Sequence, residues 1–320
     1  MKNEILRLLK KQSSGYLSGE EISSLLGVSR TAVWKHIKTL KAEGYIIDSQ
    51  TKNGYRLIQV PDCLYPAEVR EYLSTRVLGR ELFYLPSVSS TNREAREKAE
   101  IGALDGAVVL AETQTAGRGR LGREWYSPTQ TGLWMSVILR PKIVPADAPK
   151  LTLTAAVAVA EAVMTETGLN PGIKWPNDIL LNRKKVCGIL TEMKADMDRV
   201  HYVIVGIGLN ISQENYPEDI RDIATSLTLE AEKKFNRAKI AGAVLNSLEK
   251  YYFKLINDGF GAIRSEWKRH SVNLGHKVSV NTLGEVIKGI AEDIDENGLL
   301  VVKEIGGSIK KITAGDVTLR

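Results

Sequence analysis

The segment at residues 114–125 constrains the fold most, because its composition suits neither a helix nor a strand. It reads Gln-Thr-Ala-Gly-Arg-Gly-Arg-Leu-Gly-Arg-Glu-Trp and so alternates glycine with arginine. Apolar runs at residues 107–111 and 133–139 flank it, and such runs are typical of buried strands. We therefore predict an ordered loop between two strands of a folded domain rather than a disordered segment.

The same loop is suited to binding anions. Glycine lets the backbone turn sharply and approach an anion closely, and each guanidinium carries a permanent charge and a planar set of donors that match phosphate or carboxylate oxygens. The residues concerned are Gly117, Arg118, Gly119, Arg120, Gly122 and Arg123. Taken alone, the loop fits a small-molecule anion site and a nucleic-acid contact equally well.

Length and composition restrict the class of protein. A chain of 320 residues predicts two or three domains with sizeable cores. No apolar run is long enough to span a bilayer and the first residues lack signal-peptide features, so we expect a cytoplasmic protein with no membrane partner. The two cysteines, Cys63 and Cys187, are far apart and the four histidines are scattered, which argues against a disulfide framework or a metal site built from protein ligands alone.

The N-terminal segment is basic and follows a helix-turn-helix pattern. Residues 1–60 contain ten Lys and Arg against five Asp and Glu, so +5 of the net charge of +6 lies there. Apolar residues at helical spacing predict three helices, of which Ser18 with Glu21 begins the second and Ser29 the third. Asn53-Gly54 then predicts a hairpin. We expect a winged helix-turn-helix domain at residues 1–64, and a polyanionic partner for it.

The third helix of this domain would face DNA. Its polar face and the hairpin supply the candidate DNA-binding residues Arg30, Thr31, Lys35, Lys38 and Arg56. Helix-turn-helix folds also serve as packing modules, and the basic charge of this face favours DNA binding over that alternative. Residues 61–66 interrupt all periodicity and predict a linker.

Beyond the linker, helices and strands alternate. A helix after Thr91, strands near residues 107, 133, 173, 185 and 200, and an alanine-rich helix at residues 148–167 predict a mixed α/β sheet domain over residues 67–270. Short strands separated by glycines then predict a small β-barrel at residues 271–320. The predicted fold class is therefore α+β with three domains.

Four further segments place small or polar residues where a strand or helix meets a loop. They are Ser89-Ser90-Thr91-Asn92, Lys174-Trp175-Pro176-Asn177-Asp178, the strand beginning at Lys185, and Gly206-Ile207-Gly208-Leu209-Asn210. The first fits helix capping or a polar clamp for a ligand, and the second fits a simple turn. Lys185 leads into an apolar strand and therefore requires an anionic partner. Gly206-Ile207-Gly208-Leu209-Asn210 is not a dinucleotide-binding motif, because no GxGxxG opens a helix there, and GxxxxGK[ST] is missing from the sequence, so neither common phosphate loop is predicted.

Together with the glycine-arginine loop, these segments occur in the order and spacing of the biotin–protein ligases. The sequence resembles the bifunctional members of that family, which also repress the biotin operon, and the resemblance covers nearly the whole chain. It implies a central catalytic domain like that of class II aminoacyl-tRNA synthetases and an SH3-like C-terminal barrel.

The resemblance also implies the reaction of a biotin–[acetyl-CoA-carboxylase] ligase. Biotin and ATP would form biotinyl-5′-AMP, and the biotinyl group would pass to a lysine of a biotin carboxyl carrier domain. The implied cofactors are ATP and Mg²⁺, with Asp178 as the candidate protein contact of the Mg²⁺ that ATP brings. The implied partners are the carrier domain, operator DNA and a second copy in a homodimer that biotinyl-AMP favours.

Site residues follow from the resemblance position by position. For biotin it implies Ser90, Thr91, Asn92, Gln114, Gly117, Arg118, Gly119, Arg120, Trp125 and Lys185. It implies catalytic roles for Arg118, Arg120 and Lys185. For ATP and the adenylate it implies Arg123, Lys174, Asn177, Asp178 and Asn210.

Two other functions remain open on the sequence alone. A ligand-responsive transcription factor without ligase activity would use the same basic domain and anion site. A lipoate-type acyl ligase would have a similar catalytic fold and would also adenylate a small carboxylic acid. Gln114 and the glycine-arginine loop favour biotin over lipoate.

Overall fold

The computed structural model describes residues 1–12, 15–282 and 284–319. The chain divides into two compact units, Met1–Asp62 and Cys63–Arg320.

The first unit is a winged helix-turn-helix. Its elements are α1 (Lys2–Lys11), α2 (Gly19–Leu26), α3 (Arg30–Ala42), and the antiparallel strands β1 (Ile46–Gln50) and β2 (Gly54–Gln59). The predicted caps are present: Ser18 Oγ accepts a hydrogen bond from Glu21 N at 3.1 Å, and Ser18 N donates to the Glu21 carboxylate at 2.7 Å. Ser29 Oγ likewise accepts from Ala32 N at 3.2 Å. Each cap satisfies N–H groups that the helix itself leaves without a partner, and the predicted fold of this unit is confirmed.

The second unit is built on a seven-stranded mixed sheet. Its strands are β3 (Leu82–Leu85), β4 (Val108–Ala111), β5 (Gly132–Leu139), β6 (Gly172–Lys174), β7 (Asp178–Leu181), β8 (Lys184–Ala195) and β9 (Val200–Asn210). Their order in the sheet is β3-β4-β5-β9-β8-β7-β6. Only β3 and β4 run parallel, whereas the other neighbouring pairs are antiparallel.

Helices cover both faces of this sheet. They are α4 (Pro66–Arg70), α5 (Thr91–Glu100), α6 (Ala148–Thr167), α7 (Leu227–Ala231), α8 (Arg237–Asp258) and α9 (Phe260–His270). Alternate residues of one strand enter different cores: Val108 and Leu110 lie in the same apolar cluster as α6, whereas Val109 lies in a second cluster with α5. The central strands are therefore buried on both faces, which explains their nearly continuous apolar sequence.

Helix α6 and the turn before it, Pro145–Thr167, are long and apolar enough by length and composition to cross a membrane. This segment is mostly buried inside the second unit, as is typical of the core helix of a folded domain.

The C-terminal part of the second unit is a five-stranded antiparallel sheet. Its strands are β10 (Lys277–Asn281), β11 (Val286–Ile294), β12 (Leu300–Glu304), β13 (Ile309–Ile312) and β14 (Asp316–Leu319), in the order β13-β12-β11-β10-β14. The predicted α+β class with a small C-terminal β domain is confirmed. The sequence did not predict β3, β7, β14, α4 or α7, each of which has five residues or fewer.

Candidate active site

A cavity of about 590 Å³ lies over strands β8 and β9 in the second unit, within the size range of small-molecule sites. The structure brings nearly all of the predicted ligand-binding residues to its wall: Ser90, Thr91, Asn92, Gln114, Arg118, Gly119, Arg120, Arg123, Trp125, Lys174, Asn177, Asp178, Lys185 and Asn210. Gly117 lies behind this wall, where an added Cβ would be 2.5 Å from the backbone oxygen of Trp125. Residues that are distant in sequence thus surround a single space.

Strands β8 and β9 form the floor of the cavity, and their glycines make room for side chains of the site. A Cβ at Gly206 would lie 2.1 Å from Asn92 Oδ1, and one at Gly208 would lie 2.4 Å from Trp125 Nε1. A Cβ at Gly188 would approach the Trp125 ring to 3.0 Å. Contacts below 3 Å would displace these side chains, so the glycines allow Asn92 and Trp125 to lie directly on the sheet.

The glycine-arginine loop is closed by its own backbone. Trp125 N donates to Gly117 O at 2.9 Å, and Gly119 N donates to Arg123 O at 2.8 Å. A 3-10 turn at Arg120–Gly122 forms the tip. The predicted ordered loop between two strands is therefore present, and it connects the region of β4 to that of β5.

The three arginines of the loop have different surroundings. Arg120 Nη1 donates to Asn177 Oδ1 at 3.2 Å and to the backbone oxygen of Gly315 at 3.3 Å. Arg123 forms an ion pair with Asp316 at the start of β14. The guanidinium of Arg118 makes no hydrogen bond or ion pair with the described residues, and it lines the cavity. One arginine is thus free for an anionic ligand while two hold the loop against neighbouring segments.

Lys185 supplies a further cation at the floor. Its Nζ lies 2.7 Å from Asp178 Oδ1 on the neighbouring strand and 5.1 Å from the centre of the Trp125 ring. The anionic partner expected for this lysine is therefore Asp178. Cys187 follows two residues later and is completely buried, which raises the pKa of its thiol and keeps it protonated.

The turn before Asp178 is held by hydrogen bonds from Trp175 to the C-terminal part of the second unit. Trp175 is buried, its indole Nε1 donates to Gly298 O at 3.1 Å, and its backbone N donates to Asn273 Oδ1 at 2.6 Å. Trp175 therefore joins this turn to the C-terminal sheet and has a structural role. Asn177 Nδ2 donates to Ile189 O at 2.9 Å, which fixes the orientation of its amide toward Arg120.

The polar end of the cavity lies at the start of α5. Ser90 is the N-cap residue, but its side chain makes no capping hydrogen bond. Thr91 instead contacts Gln114, whose Oε1 accepts from the Thr91 backbone N at 2.8 Å. Asn92 Nδ2 donates to Leu190 O at 3.2 Å. Ser90 therefore does not cap α5 with its own side chain, and Ser90, Thr91 and Asn92 all line the cavity.

The opposite end of the cavity is more apolar and was not predicted from the sequence. Tyr216, Ile220, Ile223 and Ala224 line it, and they belong to a segment without helical or strand periodicity. Burial raises the pKa of the Tyr216 phenol, which keeps it neutral. Asn210 Nδ2 donates to Thr225 O at 3.0 Å and so ties the end of β9 to this segment.

The predicted DNA-binding residues lie on the surface of the first unit. Arg30, Thr31, Lys35 and Lys38 are exposed on α3, which contains no acidic residue. Arg56 is exposed on β2, with its guanidinium 4.9 Å from the centre of the Tyr16 ring. Trp34 was missed by sequence analysis: it is exposed on the same face of α3 as Lys38, whose Nζ lies 5.5 Å from its ring.

Comparisons with known proteins agree with this architecture. The model of the biotin/lipoate A/B protein ligase family matches residues 84–210, an HTH domain model matches residues 2–56, and the model of the biotin protein ligase C-terminal domain matches residues 274–320.

Relatives match over the whole length. The bifunctional ligase/repressor BirA proteins of Bacillus spizizenii and Bacillus subtilis are each 43% identical over 321 residues, covering 100% of this chain and 98% of the relative. The solved biotin protein ligase of Aquifex aeolicus in complex with biotin and ATP is similar with a TM-score of 0.66 and 31% identity, covering 75% of this chain and 99% of that one. Given this identity over the full length, the chain belongs to the family of bifunctional BirA-type biotin protein ligases.

Proposed function

We propose that the protein is an ATP-dependent ligase that converts biotin to biotinyl-5′-AMP and then transfers the biotinyl group to a lysine of a biotin carboxyl carrier domain. The observation that carries this proposal is that Arg118 and Lys185 point their charges into one cavity with a polar end and an apolar end. Such a cavity suits a ligand with a polar head, an apolar chain, an anionic junction and a planar base.

The polar end is the proposed site of the biotin head. Ser90 has no capping bond to satisfy its hydroxyl, and Thr91, Asn92 and Gln114 line the same end. The Trp125 ring, resting on the floor glycines, would form an apolar wall for the valerate chain. Gly117, Gly119 and the arginines between and after them would then cover the carboxylate.

The first step joins two anions. A biotin carboxylate oxygen attacks the α-phosphorus of ATP, the bond to the β-phosphate oxygen breaks, and pyrophosphate leaves. Lys185 and the loop residues Arg118 and Arg120 would reduce the repulsion between the substrates and stabilise the charge that grows on the α-phosphoryl oxygens. Arg123 and Lys174 would interact with the leaving phosphates.

The nucleotide would occupy the other end of the cavity. Ile220, Ile223 and Ala224 offer an apolar surface for the adenine base, next to Asn210, Asn177 and Asp178. Mg²⁺ brought by ATP would neutralise phosphate charge. Asp178 is the proposed protein contact for it, because carboxylate oxygen suits this ion and only one of its oxygens faces Lys185.

The second step transfers the biotinyl group. The neutral amine of the acceptor lysine attacks the acyl carbon of the mixed anhydride, AMP leaves, and the amine loses its proton as the amide forms. The anhydride is prone to hydrolysis, so the loop at residues 116–126 would exclude water by covering it. This role suits a loop whose arginines hold it to neighbouring segments through few contacts, those of Arg120 to Asn177 and Gly315 and that of Arg123 to Asp316.

The first unit would make the protein a biotin-dependent repressor. Its α3 face is basic and exposed, which suits the major groove of operator DNA with phosphate contacts at its flanks. We further propose that biotinyl-AMP favours a homodimer, in which two such units grip a palindromic operator together. The site of action is proposed to be the cytoplasm.

The ligase proposal is tested by mass spectrometry of a carrier domain after incubation with this protein, biotin and Mg-ATP. We expect one biotinyl group on the target lysine, and none when biotin or ATP is omitted or when that lysine is replaced by arginine. Lipoate in place of biotin tests the related acyl ligase activity in the same assay. If the carrier stays unmodified and no biotin-dependent exchange of pyrophosphate into ATP occurs, the ligase proposal fails. The remaining function is then that of a transcription factor without ligase activity.

A further inference from the structure

The hairpin between β7 and β8 has an arginine in a backbone conformation that favours glycine. Leu181 pairs with Lys184, so the loop has only two residues, Asn182 and Arg183. Their φ angles are +45° and +67°, as in the type I′ turn that two-residue hairpins prefer. Asparagine is common at the first position of this turn and glycine at the second. Arg183 therefore occupies the glycine position, where a side chain strains the backbone.

The guanidinium of Arg183 lines the cavity and is free to bind a ligand. It makes no hydrogen bond or ion pair with the residues that the structure describes, whereas the ammonium of Lys185 in the same hairpin pairs with Asp178. Non-glycine residues with positive φ persist where the surrounding structure holds them, and they are concentrated at binding and catalytic sites. The conformation and the position of Arg183 together indicate a role in ligand binding.

The start of β8 is held against the apolar end of the cavity. Lys185 N donates to Ile223 O at 2.7 Å, and Thr225 N donates to Lys185 O at 2.9 Å. Side chains add to this contact: the carboxylate of Glu230 in α7 accepts from Asn182 Nδ2 and, at 2.6 Å, from Thr225 Oγ1. These bonds fix the tip of the hairpin next to the surface proposed for the adenine base.

The register of the sheet places Arg183 away from the proposed phosphate sites. Asp178 pairs with both Gly188 and Lys174, so these three residues lie level with one another across β8, β7 and β6. Gly188 is four residues beyond the start of β8, which corresponds to about 13 Å at the usual rise of about 3.3 Å per residue. Arg183 precedes that start by one residue. The guanidinium therefore belongs to the base end of the cavity and not to its phosphate end.

We propose that Arg183 stacks its guanidinium on the adenine base of ATP and of biotinyl-AMP. A guanidinium is planar, carries a permanent charge and packs well on the faces of aromatic rings. The base would then lie between this cation and the apolar surface of Ile220, Ile223 and Ala224. The inference rests on the proposed function and deepens it, since it identifies a residue that holds the base and does not touch the reacting atoms.

This role has a kinetic consequence and a structural one. Because the base does not change during the reaction, the stacking contact is equally strong in the ground state and in the transition state, and its loss should raise the KM of ATP with little effect on kcat. Glycine adopts a φ of +67° without strain. Arg183→Gly should therefore weaken nucleotide binding without lowering thermal stability, a combination that a purely structural role would not produce.

The test combines biotin-dependent exchange of pyrophosphate into ATP with calorimetric measurement of the Kd of ATP and with thermal unfolding. We expect Arg183→Gly to raise the KM and the Kd of ATP about fivefold or more, the usual effect of losing one stacking contact on a base. The KM values of biotin and of pyrophosphate should stay unchanged. Arg183→Lys keeps the charge but loses the planar group, and should lose most of the same affinity. Lys184→Ala is the matched control, because it removes an exposed cation of the same hairpin that does not line the cavity.

The outcomes separate the inference from the proposed function. If the wild-type protein binds ATP but shows no biotin-dependent exchange, the ligase function fails and the Kd of ATP alone decides the inference. If Arg183→Gly keeps the wild-type KM and Kd of ATP, the inference is overturned. It is also overturned if the KM of pyrophosphate rises as much as that of ATP, which would assign Arg183 to the phosphates, or if all three KM values rise equally while thermal stability falls. A wild-type protein that binds no ATP at all overturns both.

Discussion

Lys185 Nζ lies 2.7 Å from Asp178 Oδ1, so the cation on the cavity floor is already paired in the ligand-free protein. The two residues come from neighbouring antiparallel strands, and the backbone places Lys185 opposite Leu180. The pair is half-buried on the lysine side, with a side-chain exposure of 33%. An anionic substrate therefore meets a positive charge that a carboxylate has positioned in advance.

Removal of this charge should affect catalysis more than folding. We expect Lys185→Met to lower kcat/KM for biotin-dependent exchange of pyrophosphate into ATP by about a hundredfold or more, the size of effect seen when one group that stabilises transition-state charge is lost. Lys184→Met, at the exposed neighbouring position of the same strand, is the control and should retain activity. Equal rates for the two variants would rule out a role for Lys185 in the reaction.

The floor glycines predict a steric effect on ligand binding. Gly206→Ala would place a methyl group 2.1 Å from Asn92 Oδ1, and the shift of Asn92 should raise the Kd of biotin about tenfold while destabilising the protein by about 1–3 kcal/mol. Gly261→Ala in α9 has no atom within 4 Å of the added group and should leave both quantities nearly unchanged. Calorimetry and thermal unfolding measure them. An unchanged biotin Kd in Gly206→Ala would contradict the proposed location of the head group.

The ion pair between Arg123 and Asp316 predicts how the loop responds to ligand. Arg123 is exposed and Asp316 is half-buried, so the pair is largely screened by solvent and contributes little to global stability. Asp316→Asn should leave thermal unfolding unchanged but speed tryptic cleavage at residues 118–123, and biotin with ATP should slow cleavage in the wild-type protein. Glu292→Gln, which loses an exposed pair with Lys303, is the control. Cleavage that ligands do not slow would argue against the covering role of the loop.

Both cysteines should be unreactive in the native protein. Burial raises the pKa of Cys63 to about 12, and complete burial also raises the pKa of Cys187. Because the thiolate is the reactive form, native protein at pH 8 should react with a disulfide reagent far more slowly than unfolded protein, and the Cys63 rate should rise with pH up to about 12. If one cysteine of the native protein reacted with the reagent as fast as a free cysteine does, that result would contradict the burial of these groups.

The basic face of α3 predicts a salt effect on DNA binding. Lys38→Ala should weaken binding to a duplex selected in the presence of biotin and ATP, and should reduce the slope of log K against log salt concentration by about 1, as for one lost phosphate contact. Lys142→Ala, exposed in the second unit, is the control. Fluorescence anisotropy over a series of salt concentrations measures both. An unaltered slope would exclude Lys38 from the DNA contact.

Local signals explain why much of the fold could be predicted from the sequence. The caps at Ser18 and Ser29 depend on residues three positions apart, and the bounds of α6, Ala148–Thr167, follow from an alanine-rich run that ends at a glycine. The glycine-arginine loop was recognisable because its composition excludes regular structure. Such features need no knowledge of long-range pairing.

The parts of the site that were missed depend on contacts across the chain. Ser136 lies in an apolar strand and looks like a core position until Thr91 and Asn92 are placed beside it. Asp316 belongs to a four-residue strand, and its role depends on Arg123, nearly two hundred positions earlier. Trp175 stands in a segment that suggests a ligand site, yet it bonds to Gly298 and anchors the C-terminal sheet.

The central claim is that the loop cations gather two mutually repelling substrates and shield the activated product. Its most direct test is the rate of carrier-domain biotinylation, followed by mass spectrometry, for a variant in which Arg118, Arg120 and Arg123 are all replaced by glutamine. We expect transfer to be slower by about two orders of magnitude or more, with thermal unfolding nearly unchanged. A variant that loads the target lysine as fast as the wild-type protein would contradict the claim.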